Sequence, residues 1–147
     1  MDIKSYCIAI VLAPLIGSLI AGLAGKTLGR TVSHIATIAG VAVSFALSAV
    51  LWSGFLSGDQ QAQTHVWYEW AALGDLSLHV GFMVDSLSTL MMVVVTSVSL
   101  MVHIYTIGYM HDDDGYQRFF AYISLFTFSM LMLVLADNFL QLFFGWE

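Results

Sequence analysis

The sequence predicts an all-α membrane protein, a multi-span bundle of four full transmembrane helices plus the start of a fifth. A small β-hairpin is expected in its 57–84 connection. Three observations predict this. First, 59% of the 147 residues are hydrophobic and only 10% are charged, against roughly 45–50% and about 25% in a soluble domain, so charge cannot clothe a globule. Second, the charged positions leave four uncharged stretches long enough to cross a hydrocarbon core of about 30 Å, which takes roughly 17–25 residues. Third, a single segment between them alternates with a period of two, the mark of a strand.

Ser5–Gly25, bounded by Lys4 and Lys26, is the first span. It is longer than a usual signal-peptide core, and basic residues follow it, so it is expected to remain as a helix rather than be cleaved. Pro14 removes a backbone donor and is expected to kink it. Gly17, Ala21 and Gly25 recur every four residues, which suits close helix packing. Thr31–Gly58, bounded by Arg30 and Asp59 with His34 its sole titratable side chain, is the second span.

The 57–84 connection follows. Leu76, Leu78, Val80 and Phe82 alternate with Ser77, His79, Gly81 and Met83. This strand is expected to pair with His65–Trp70 through a turn near Leu73-Gly74-Asp75. The hairpin should lie on the outer surface, with Trp67, Tyr68 and Trp70 near the aromatic belt. Ser86–His111, between Asp85 and Asp112, is the third span, and Phe119–Ala136, between Arg118 and Asp137, is the fourth.

Asp137 and Asn138 suit a helix N-cap, so a fifth helix is expected from there. Its run to Glu147 rises about 15 Å, half of a core of about 30 Å. A terminus at that depth would strand charge in hydrocarbon, so the sequence reads as a fragment of a longer polypeptide. The 25–31 and 111–118 connections carry Lys26, Arg30 and Arg118, whereas the opposite side carries Lys4 alone. This asymmetry predicts that the former face the cytoplasm and that the N-terminus lies outside.

The net charge of −6, with four Lys and Arg in total, excludes a nucleic-acid binder, which needs clustered basic residues to displace counterions. The single cysteine, Cys7, cannot form an internal disulfide or hold a zinc or iron–sulfur cluster alone. Gly25-Lys26-Thr27 has the tail of a phosphate loop, but Ile20 stands where its first glycine belongs and a span precedes it. His111-Asp112-Asp113-Asp114 has cation-site composition but reads as a solvated turn, since hard cations need six or more oxygens from a shaped loop. His65 and His79 have similar standing. The eight methionines, among them Met91, Met92, Met130 and Met132, are expected to fill irregular gaps between helices.

Two side chains inside the spans are candidates for chemistry. His103 lies about 10 Å from the cytoplasmic end of span three. At that depth an imidazole either hydrogen-bonds a neighbouring helix or serves a proton path, and the sequence leaves both open. Glu147, a carboxyl expected near the bilayer midplane, is the stronger candidate. Desolvation would favour its neutral form and a cationic partner its charged form, so modulating that balance could load and unload a proton.

Phe119-Phe120-x-Tyr122, Met130, Leu133-Val134-x-Ala136, Asn138 and Gln141-Leu142-Phe143-x-Gly145-Trp146-Glu147 resemble subunit L of bacterial NADH:quinone oxidoreductase, respiratory complex I, and its mitochondrial chain 5. Phe82-x-x-Asp85-x-Leu87-Ser88 and the Tyr109–Phe120 stretch resemble the same family. Asp137 stands where family members often carry Asn.

The resemblance implies a long helical bundle with two inverted, antiporter-like repeats. Residues 1–115 would form the N-terminal helices and outer loop, and 116–147 the start of the proton-translocating domain. It implies a membrane-arm subunit of an enzyme complex, coupling a proton channel to quinone reduction. Glu147 matches the proton-channel glutamate, whose lysine partners lie on later helices. NADH, FMN, iron–sulfur clusters and quinone would be bound by other subunits, so no cofactor-binding or metal residue is expected here. The partners would be the other membrane-arm subunits and the lipid bilayer. With no organelle-targeting peptide, a bacterial plasma membrane is the expected location. The alternatives are the large subunit of a multi-subunit sodium/proton antiporter, which shares this ancestry, and a purely structural bundle.

Overall fold

The computed structural model describes residues 3–73 and 76–147, excluding the side chains at 70 and 72–78. Its elements are α1 (Ile3–Leu23), α2 (Gly25–Leu56), β1 (Gln63–Leu73), β2 (Leu76–Val84), α3 (Ser86–Tyr109), α4 (Tyr116–Val134) and α5 (Phe139–Trp146). Helices α1 to α4 are each long and apolar enough to cross a membrane. This is the expected architecture of four spans, a hairpin and the start of a further helix.

Many hydroxyls share the bundle interior with its apolar core, and the exterior is apolar. Ser33, Thr37, Ser44 and Ser48 of α2, Thr89, Thr96 and Thr106 of α3, and Ser124 and Thr127 of α4 are buried. Ile35, Val43, Val50, Val98, Met101 and Phe126 are exposed. Lipid offers apolar side chains the same environment as a protein interior, so helices associate through small residues that admit close backbone approach. Gly17 and Gly40 do this between α1 and α2. A Cβ on Gly17 would lie 3.0 Å from the Ala36 carbonyl oxygen, and one on Gly40 would lie 2.6 Å from that of Ala13.

Helix α1 is assigned as one helix straight through Pro14. The proline has no N–H for the carbonyl four residues earlier, that of Ile10. Ser44 of α2 supplies the missing donor, its Oγ lying 2.6 Å from that oxygen. Ser124 Oγ donates to the Pro14 carbonyl at 2.7 Å, and Ser18 Oγ to that of Ala121 at 2.8 Å. The carbonyl that the proline frees thus ties α1 to α2, and the two further hydroxyl bonds tie α1 to α4. Ser44→Ala is expected to cost about 1 kcal/mol in an SDS-unfolding titration, the scale of an interhelical hydrogen bond in a membrane. In a Pro14→Ala background the helix satisfies its own carbonyl, and that cost should fall towards zero. An undiminished cost in the double variant would show that Ser44 contributes something other than this bond.

The 25–31 connection is largely helical. Gly25–Leu28 form a helical turn, and the chain changes direction at Gly29, whose φ of 86° falls where L side chains are disfavoured. Thr27 Oγ1 donates to the Ala24 carbonyl at 2.8 Å. Gly25-Lys26-Thr27 is therefore a helix start and no phosphate-cradling loop.

β1 and β2 pair antiparallel from Gln63 opposite Val84 to Leu73 opposite Leu76, with irregularities between Val66 and Tyr68 and between Glu69 and Ala71. The expected turn residues Gly74 and Asp75, and the side chains of Trp70, Leu76, Ser77 and Leu78, lie outside the described residues. Where side chains are described, the alternation holds only at the end of the strand, with Phe82 and Val84 buried and Met83 exposed; Gly81 is buried next to Phe82, and His79 and Val80 are both half-buried. Trp67 stacks on Phe82 with ring centroids 6.1 Å apart. Phe82 and Val84 pack into one cluster with Cys7, Ile10, Leu51, Met92, Leu131 and Leu135. The hairpin therefore plugs the bundle end shared by the starts of α1 and α3 and the ends of α2 and α4. Met92 fills that cluster as expected, whereas Met91 is exposed.

α3 begins with a reciprocal cap: the Ser88 amide donates to Asp85 Oδ1 at 2.6 Å and the Asp85 amide to Ser88 Oγ at 2.9 Å. Asp137 and Asn138 were equal candidates for the N-cap of the fifth helix. The cap is Asn138, whose Oδ1 accepts from the Gln141 amide at 2.9 Å.

Candidate functional site

His103 projects from α3 and is fully buried. Its Nδ1 lies 2.7 Å from the Ser99 carbonyl oxygen. A carbonyl only accepts, so Nδ1 carries the hydrogen and the neutral ring presents a bare lone pair at Nε2. That nitrogen has no hydrogen-bond partner among the described residues. Of the two roles left open, the hydrogen bond to a neighbouring helix is absent among the described residues: the imidazole bonds its own helix. Contact with α4 passes through Ser99, whose Oγ is 2.6 Å from Thr127 Oγ1, and through Phe120, whose ring centroid is 5.9 Å from that of His103.

One end of the bundle is held by Arg30. Its guanidinium donates to the carbonyls of His111 at 2.5 Å and Asp113 at 3.1 Å, and lies 5.5 Å from the Tyr116 ring centroid. Tyr116 Oη is 3.0 Å from His34 Nδ1 on α2. The 24–31 and 110–115 connections therefore meet at the same end, as the alternation of spans required. His111 pairs with Asp112 at 2.9 Å, both almost fully exposed, and Asp113 Oδ1 accepts from the Gly115 amide. This is the solvated turn expected. His65 bonds Gln63 at 2.9 Å. Among the described residues no three His, Cys, Asp or Glu converge as metal ligands.

At the opposite end a polar cluster fixes the start of α5. His79 Nε2 of β2 lies 3.0 Å from Asp137 Oδ2, which is nearly buried. Asn138 Nδ2 donates to Asp137 Oδ1 at 2.6 Å and to the His79 carbonyl at 2.9 Å. Gln141 Oε1 accepts from the Gly81 amide at 3.0 Å, while its Nε2 has no partner among the described residues. Sequence reading found the helix start here but missed the cluster, because its partners are 58 to 60 residues apart.

α5 then carries Glu147. Gly145 packs against Leu133 of α4, where a Cβ would meet the Leu133 amide nitrogen at 3.0 Å. The Glu147 amide donates to the Phe143 carbonyl at 3.0 Å, so the carboxylate stands on the helix itself. It is exposed, beside exposed Phe143, Phe144 and Trp146, and has no ion-pair partner among the described residues. The helical rise from Asn138 carries it at most roughly 14 Å inward from the hairpin end. His103 and Glu147 are thus held on different elements: His103 in a sealed interior between α3 and α4, Glu147 on an open helix face.

Four spans with inward-facing hydroxyls, a hairpin plug and a carboxylate-bearing fifth helix define an α-helical membrane protein with ionisable groups in its interior. Residues 70–120 match the family model for the chain 5 N-terminus of NADH-ubiquinone oxidoreductase (complex I). The chain is 62% identical to NADH-quinone oxidoreductase subunit L of Neisseria meningitidis, over 99% of this chain and 22% of that protein. It is 45% identical to NADH-ubiquinone oxidoreductase chain 5 of Dictyostelium citrinum, over 97% of this chain and 21% of that protein. Over nearly its whole length the chain is similar to the subunit L/chain 5 family, and it covers about a fifth of its relatives' length. With its four apolar spans and bacterial relatives it is a bacterial membrane protein. The names of these relatives do not favour the sodium/proton antiporter alternative.

Proposed function

We propose that the chain contributes to a membrane-arm subunit of a proton-pumping NADH:quinone oxidoreductase, in which Glu147 takes up and releases a proton. The observation that carries the reading is the placement of Glu147 in the Gly-Trp-Glu run of α5, within a chain 62% identical to a subunit L. Electron transfer elsewhere in the complex shifts the electrostatics around the carboxylate. Its charge state follows, because a carboxyl taken from water into a bilayer interior is costly when ionised without a partner. Glu147 sits near the midplane, and lysines on later helices supply the counter-charge.

Residues 1–115 form the N-terminal helices and outer loop, and 116–147 open the proton-translocating domain. NADH, FMN, iron–sulfur clusters and quinone belong to other subunits of the complex, and neighbouring membrane-arm subunits and lipid cover the apolar exterior. The location is the bacterial plasma membrane. The N-terminus and hairpin face outward, a sidedness supported by Lys26, Arg30 and Arg118 gathering at the opposite end. His103 serves as a second protonatable station.

Glu147→Gln in the full-length subunit is expected to lower the protons pumped per NADH oxidised in an assembled complex, whereas Gln61→Ala on the exposed connection leaves the ratio unchanged. An unimpaired ratio in Glu147→Gln removes the residue from the mechanism. A Glu147→Ala effect confined to assembly would favour a structural bundle.

A further inference from the structure

We propose that Phe120 is a hydrophobic gate on a proton route that reaches His103 from the His34–Tyr116 pair and leaves it through the Ser99 and Thr127 hydroxyls. The inference rests on the proton-pumping reading above and names side chains that reading does not use.

The starting point is His103 Nε2. It is sealed by atoms of this chain, so no later helix or partner subunit can supply its missing bond without first displacing α2, α3 or α4. Leaving such an atom unpaired costs about 1–3 kcal/mol, a cost that persists only where something is gained from it. With Nδ1–H engaged by Ser99, the atom left bare is the basic one, and it can only receive a hydrogen.

Phe120 packs against both this ring and the His34–Tyr116 pair. Its buried ring has centroids 5.9 Å from His103, 6.1 Å from His34 and 4.9 Å from Tyr116. His34 and Tyr116 are joined by a 3.0 Å hydrogen bond beside the Arg30-held turn, at the end of the bundle. A phenyl ring carries no proton, so the two polar pairs are insulated while it stays in place. When it swings aside, water can bridge Tyr116 and His34 to Nε2.

On the far side two hydroxyls carry the route onward. As Nε2 accepts a proton, Nδ1 releases one to Ser99 Oγ, 3.3 Å away, which lies 2.6 Å from Thr127 Oγ1. Thr127 commits its own hydrogen to the Ile123 carbonyl at 2.8 Å, so Ser99 is the donor of that pair. Ser99 and Thr127 line a groove of about 430 Å³ between α3 and α4, walled by Val95, Val98, Val102 and Met130. The proton count balances when the hydroxyls turn over together: one proton enters at Nε2, Nδ1 releases one to Ser99, Ser99 passes its own hydrogen to Thr127, and Thr127 releases the hydrogen it held on the Ile123 carbonyl to water entering the groove.

The test measures passive proton conductance of the assembled complex in proteoliposomes, with a potassium-diffusion potential and no NADH. Phe120→Ala is expected to raise conductance at least tenfold, and Phe120→Ala/His103→Phe to return it to the unmodified level. Phe120→Leu, which keeps an apolar plug and is the safer variant for assembly, should raise it several-fold, with the same dependence on His103. Ser99→Ala/Thr127→Val should abolish the leak without touching the gate. A leak that survives removal of His103, or an assembled Phe120→Leu complex as tight as the unmodified one, overturns the proposal. Because no NADH is turned over, failure here leaves the Glu147 result standing, and a pumping-competent Glu147→Gln variant leaves the leak result standing.

Discussion

Gly40→Ala is expected to destabilise the α1–α2 pair by about 2 kcal/mol, within the range for overpacking a well-filled interior. The added methyl would lie 2.6 Å from the Ala13 carbonyl oxygen and 3.2 Å from its carbon. Those atoms are backbone of a helix fixed at Pro14, so no side-chain rotation relieves the clash and the helices must separate. Separation carries a second cost. Ser44 lies one turn further along α2, and its 2.6 Å bond to the Ile10 carbonyl lengthens with the interhelical distance. The orphaned carbonyl then faces a medium without water. The check is an SDS-unfolding titration of the chain, with Gly54→Ala as comparison. A Cβ at Gly54 meets only the side chain of Gln60, at 3.0 Å, which can swing away. Equal shifts for the two variants would show that backbone approach at Gly40 is not limiting.

The spans and the hairpin were legible in the sequence because each rests on a local rule. Charges are costly in hydrocarbon, so the uncharged runs that follow Lys4, Arg30, Asp85 and Arg118 mark the helices, and the period-two run ending at Phe82 marks a strand. Asp85 and Ser88 cap α3 across three residues, a distance that periodicity and capping preferences reach. What stayed hidden is non-local. The sequence marks Pro14 as a kink, yet not that Ser44, 34 residues away from the freed carbonyl, would donate the cross-link. It marks His103 as buried, yet not that its own carbonyl partner at Ser99 would leave Nε2 bare. His79 and Asp137 read separately as a loop histidine and a helix-start residue. Their pairing depends on β2 docking on the end of α4, where the Met83 amide donates to the Leu135 carbonyl at 3.0 Å. For Glu147, span depth and resemblance supply a candidate, and no ion-pair partner stands beside it among the described residues.

Gly81→Ala should have the largest structural effect of any single methyl added to the chain. A Cβ there would collide with Asp137 Oδ2 and sit 2.7 Å from its Cγ. An exposed carboxylate would swing away at little cost, but this one is nearly buried and held by both His79 and Asn138. Rotating it breaks the His79 pair and disturbs the residue that caps α5. Leaving a nearly buried carboxylate short of its hydrogen-bond partners costs about 1–3 kcal/mol, and two contacts are disturbed here, so a loss of about 3 kcal/mol is the expected scale. The loss should be non-additive: with Asp137→Ala the clash disappears, and the double variant should be no worse than Asp137→Ala alone. Asp137→Asn keeps the shape and one acceptor oxygen for His79, so it should cost far less than either. The readouts are unfolding of the chain and the level of assembled subunit in membranes. Because the cluster sets where α5 begins, Gly81→Ala should also lower pumping in whatever complex assembles, whereas Asp137→Asn should not. If Gly81→Ala assembles and pumps normally, the hairpin is a lid over the bundle end and does not position Glu147.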